Sequence, residues 1–72
     1  MTNVTELIEK LLNEKTKIEM AALIGKEIDY SALREAAKSL NEVSSELFPF
    51  NVEGNDAELM LSVVEVEKKF RP

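Results

Sequence analysis

Leu7, Ile8, Leu11 and Leu12 recur at i, i+1, i+4 and i+5, one apolar stripe of a helix with Glu6, Glu9, Lys10 and Glu14 outside it. Asn3 followed by Glu6 reads as a capping box, so the pattern predicts a helix from Thr2 to about Glu14. Thr16 with Glu19 repeats the box and opens a second, short helix over Lys17–Ile24, which Gly25 would end in the left-handed conformation. Asp29 or Ser31 caps a third, from about Tyr30 to Ser45, with Leu33, Ala36, Ala37, Leu40 and Val43 as its stripe.

The period then changes. Phe48, Phe50 and Val52 alternate with Pro49, Asn51 and Glu53, which reads as a strand, placed at a sheet edge because Pro49 cannot donate to a ladder. Gly54-Asn55-Asp56 is a turn signal. Ala57 to Val66, rich in Leu and Val, reads as a second and longer strand. The expected fold is therefore α+β: a winged helix, in which a three-helix helix-turn-helix core precedes a C-terminal β-hairpin wing. Residues 1–72 form one domain, since a chain of 72 residues has no room for two.

Composition narrows the function more than the fold. Hydrophobic residues make up 44% and charged residues 32%, and no apolar run approaches the length of a bilayer span, so no membrane partner is expected. The first residues carry neither a basic stretch nor an apolar core of the secretory kind, which makes the cytoplasm the expected location. Without Cys or His the chain has no thiolate, no imidazole metal ligand and no histidine base. Ser31, Ser39, Ser44, Ser45 and Ser62 consequently cannot join a Ser-His-acid triad. Glu65 and Glu67 would share a strand face, where a solvated role outweighs acid–base work. Two glycines exclude a phosphate-cradling Gly-rich loop, and Asn55-Asp56-Ala57-Glu58 lacks the ligand pattern of a calcium loop. No enzyme, cofactor or metal is expected.

Binding remains. The net charge of -5, from 14 acidic and 9 basic residues, disfavours nucleic acid, whose phosphates reward a basic field. A DNA-binding regulator is the alternative; its contacts would be Arg34, Lys38 and Asn41 on the third helix, with Lys68, Lys69 and Arg71 in the tail. The acidic wing, with Glu53, Asp56 and Glu58, opposes that. A wing needs one apolar face, yet Leu59, Leu61 and Val63 would line one side while Met60, Val64 and Val66 line the other. Either the first helix or Phe70 covers the second side, or a protein does. The expected interface is Phe48, Phe50, Met60, Val64 and Val66, with a homodimer as the expected assembly.

Leu7-Ile8-Glu9-Lys10-Leu11-Leu12, Ile18-Glu19-Met20-Ala21-Ala22-Leu23-Ile24-Gly25, the run Ala32 to Glu42 and the ending Val64-Glu65-Val66 together resemble the segregation and condensation protein B family. That resemblance, over about residues 4–71, implies a winged helix that dimerises and binds a kleisin subunit of the SMC condensin complex in chromosome segregation. It brings no catalytic residues. Family members carry a second winged helix, for which this chain has no room, and a Gly-Gly wing turn where it has Glu67-Lys68-Lys69. The expected function is thus a non-catalytic protein–protein interaction module.

Overall fold

The computed structural model describes residues 3–70, which form three helices: α1 over Val4–Leu23, α2 over Ser31–Val43 and α3 over Asp56–Phe70. Asn3 caps α1, its Oδ1 accepting the Thr5 N–H at 2.9 Å rather than the Glu6 N–H of the expected box. The helix does not stop at Glu14. Nothing between Val4 and Ile24 breaks it, and local pairs hold the middle turns: Lys17 to Glu14 at 3.1 Å and Lys15 to Glu19 at 3.1 Å. Thr16 is no cap, because its hydroxyl donates to the Leu12 carbonyl four residues back at 3.0 Å. The two predicted helices are one, of 20 residues.

Gly25 ends it with φ 71°, a left-handed conformation that only glycine adopts at little cost. Gly25 N–H bonds to the Ala22 carbonyl and Lys26 N–H to that of Ala21, which together make a Schellman cap. Four residues on, the Asp29 carboxylate accepts the Ser31 N–H at 2.9 Å and starts α2. Those hydrogen bonds from Ser31 hold the Asp29 carboxyl below its ordinary value of 3.8.

Leu33, Ala36, Ala37 and Leu40 are buried along α2 in the pattern expected of them. The two alanines leave room for α1 to pack closely. Residues 44–55 then run back along α2 as a strap. Asn41 donates to the Phe48 carbonyl at 3.0 Å, and Arg34, two turns earlier, donates to the carbonyls of Val52 and Gly54. Within the strap Phe50 N–H bonds to the Phe48 carbonyl, a γ-turn about Pro49 that sends both rings to the same side. Their planes stack with centroids 6.2 Å apart, and Phe70 stacks on Phe48 from α3 at 5.8 Å. Buried phenylalanines of this kind contribute roughly 1.5–3 kcal/mol each.

The strap delivers α3 to the same end of the molecule at which α2 starts: Arg34 meets Asp56 at 2.7 Å. At the other end, Phe70 shares a groove with Val4 and Ile8 of α1. So α2 and α3 both run opposite to α1, and the strap's aromatic rings fill the space among them. Leu59, Val63 and Val66 complete the core with Leu11, Ile18, Leu40 and Phe48.

The expected winged helix is therefore not the fold. No strand occurs among the described residues, and the wing is replaced by a strap and a helix. The turn signal at Gly54-Asn55 is real but precedes a helix. Asn55 Oδ1 accepts the Glu58 N–H at 2.8 Å, and the Asn55 carbonyl accepts the Leu59 N–H, so Asn55 is the cap of α3. The β-branched content of Val63, Val64 and Val66 is a weak preference, and burial of the 59, 63, 66 stripe overrides it.

Candidate interaction surface

The last turn of α1 is apolar on every side. Met20, Ala21, Ala22, Leu23 and Ile24 follow one another, and at about 100° per residue five consecutive positions encircle a helix. Neighbouring elements cover little of this turn. Leu23 keeps 81% of its surface exposed, Ile24 63% and Met20 55%. Even Ala22, in register with the buried stripe of Leu11, Lys15 and Ile18, is exposed. A helical turn with no polar side is normally buried, and here the described residues do not provide that burial.

At the opposite end of the same helix lies a groove of about 360 Å³, walled by Val4, Thr5, Ile8, Glu9, Leu12 and Phe70. Its floor, Leu12, is buried, while the Phe70 ring is partly open to solvent. Between turn and groove, Lys15 reaches from α1 to Glu19 at 3.1 Å and to Glu67 of α3 at 3.2 Å. This lysine is 6% exposed. Burial works to lower its pKa, but the hydrogen bonds and charges of the two glutamates outweigh that and hold it above the ordinary 10.5. Charged and paired on both sides, it ties α3 to α1 and keeps the groove wall in place.

Of the interface residues expected from sequence, Phe48, Phe50 and Val66 lie in the core of the chain itself. Met60 and Val64 are half-buried on α3, with Met60 packed against that core. With no wing present, neither reading of what covers its second side applies, and the three buried residues are core of the helical chain. The α1 turn was missed, although its signal was present: an apolar run too long for one face of an amphipathic helix.

The basic residues do not converge on one face. Arg34 is committed to the strap through the Val52 and Gly54 carbonyls and Asp56. Asn41 likewise spends its amide on the strap. Lys38 borders a cleft that also holds Lys10, Glu35 and Glu42, where the charges balance. Lys68 faces Glu65 at 3.5 Å, Lys69 is exposed on α3, and Arg71 lies outside the described residues. Among the described residues no group of three acidic side chains is placed to hold a metal ion, and no helix is long and apolar enough to cross a membrane.

Compared with family models, with curated proteins and with solved structures, the chain matches none. The winged-helix fold implied by the resemblance to segregation and condensation protein B is not the fold the chain adopts.

Proposed function

We propose that the protein is a non-catalytic helical module that binds other protein through the exposed apolar turn of α1. The single observation that carries this is the exposure of Met20, Leu23 and Ile24 together on a turn with no polar side. Scattered surface leucines need no explanation, whereas a contiguous apolar projection calls for a partner. The non-catalytic part of the reading is supported by the side chains themselves. The chain has no His or Cys, and its one buried charged residue among those described, Lys15, is neutralised by Glu19 and Glu67. The setting proposed is the cytoplasm, and the partner class is protein rather than nucleic acid, in keeping with the net charge of -5.

Affinity capture on the immobilised chain, set beside the same chain with Leu23→Asp, tests the reading. A protein retained by the native chain and lost with Leu23→Asp supports it. Equal capture by both, with circular dichroism showing both folded, removes the α1 turn from the function.

A further inference from the structure

We infer that α3 and the strap form a lid that swings off α1 and α2 as one unit, with Arg34 as its clasp, while α1 and α2 stay packed on each other. This motion is independent of the exposed turn of α1.

The two attachments to α2 differ in kind. α1 joins it through a turn closed by backbone hydrogen bonds, Gly25 N–H to the Ala22 carbonyl at 3.3 Å and Lys26 N–H to that of Ala21 at 2.9 Å. Past Ser44, the backbone hydrogen bonds of the strap stay within it: Phe48 to Ser44, Phe50 to Phe48 and Gly54 to Asn51. Among the described residues, two side chains of α2 hold the strap. Asn41 donates to the Phe48 carbonyl, and Arg34 donates to those of Val52 and Gly54 and to the Asp56 carboxylate. Arg34 and Asp56 are partly open to solvent, where such a bond is readily exchanged for one to water.

The strap is bound to α3 as well as joined to it. Phe70 stacks on Phe48 at 5.8 Å, Asn51 donates to Glu58 at 2.7 Å, and Asn55 caps the helix through the Glu58 N–H. These contacts lie inside the moving unit, so its release breaks none of them.

The seat of α3 is narrow. Its 15 residues bury Leu59, Val63 and Val66, while the 13 of α2 bury Leu33, Ala36, Ala37 and Leu40. An element with few buried apolar side chains belongs to the part of a fold that opens first. Release also strands no charge. Lys15 loses Glu67 at 3.2 Å but keeps Glu19 of its own helix at 3.1 Å and gains water. The open form uncovers Leu11 and Leu40, which makes it the minor state.

Native-state amide hydrogen exchange of the full chain tests this. Amides of residues 59–66 are expected to share one opening constant, at least about tenfold larger than that of residues 11–18 and 33–40. Gly25→Ala separates release of the lid from global unfolding. At φ 71° an alanine is strained, yet its β-carbon meets nothing within 4 Å, so the cost stays in the turn between α1 and α2. That turn is intact in the closed and the released form alike. Exchange in α1 and α2 should therefore rise about fivefold in Gly25→Ala, while that of α3 keeps its native rate. Arg34→Ala should raise the exchange of α3 at least about tenfold. A single opening constant for all three helices, or α3 amides that speed up with those of α1 in Gly25→Ala, overturns the proposal.

Discussion

Leu59 and Leu61, two residues apart on α3, face opposite surroundings: the first is wholly buried and the second is 67% exposed. In an extended strand these side chains would share a face and a fate. On a helix they are separated by about 200°. Leu59→Ala is accordingly expected to destabilise the chain by about 2–5 kcal/mol, and Leu61→Ala by no more than about 0.5 kcal/mol. Urea titrations followed by circular dichroism measure both. Equal losses would contradict the helical assignment of residues 56–70.

Arg34 is the fastener between α2 and the segment leading into α3. Its Nη1 donates to both the Val52 and Gly54 carbonyls, and its Nη2 donates to Asp56. Arg34→Ala should cost about 2 kcal/mol and Arg34→Lys clearly part of that, because a single ammonium nitrogen cannot hold the two carbonyls and the Asp56 carboxylate together as the two guanidinium nitrogens do. Matching melting temperatures for native chain and Arg34→Lys would reduce the contact to a surface ion pair.

Among the three phenylalanines, Phe48 is the ring on which both Phe50 and Phe70 stack, and it is 1% exposed. Phe48→Ala should cost about 3–5 kcal/mol, a large fraction of the stability of a domain of this size. Phe70→Ala removes a half-exposed ring and should cost clearly less. Thermal unfolding of both variants gives the order, and a reversed order would contradict the central place of Phe48 among the rings.

Lys15 sets a pH dependence whose sign follows from the direction of its shift. Its folded pKa lies above the ordinary 10.5, so its contribution is complete below that value and is lost as pH rises through the folded pKa. Lys15→Met keeps the packed stem, and both Glu19 and Glu67 can reach water, so stability at pH 7 should stay within about 1 kcal/mol of native. The alkaline loss should be smaller in Lys15→Met than in the native chain. Unfolding midpoints at neutral pH and above 10.5 compare the two, and parallel curves would show that Lys15 does not drive the loss.

A glycine marks a close approach in the strap. A β-carbon on Gly54 would collide with the Asn51 amide and the Glu58 carboxylate, which bond to each other at 2.7 Å across it. Gly54→Ala should break that bond and cost about 1 kcal/mol, read from the urea midpoint. Asn51→Ala on its own should reproduce most of the loss.

By itself the sequence determined the local signals: the Asn3 cap, the Gly25 stop, the start of α2 at Asp29-Ser31 and the buried stripe of Leu33, Ala36, Ala37 and Leu40. Each depends on residues within a turn or two of one another, where spacing alone fixes the geometry. Only the tertiary structure decided that Thr16 lies inside a helix and that Ala57–Val66 is helical. A Thr-x-x-Glu pattern is compatible with a cap or with a helix interior, and a run of Leu and Val fits either period. What separates them is which side chains find a core. The 59, 63, 66 stripe packs against Leu11, Leu40 and Phe48, contacts distant in sequence and invisible to any local pattern. The same holds for the surface. Phe48 and Phe50 read as exposed interface until the strap turned them inward, and the α1 turn became a candidate interface only because neighbouring elements cover little of it.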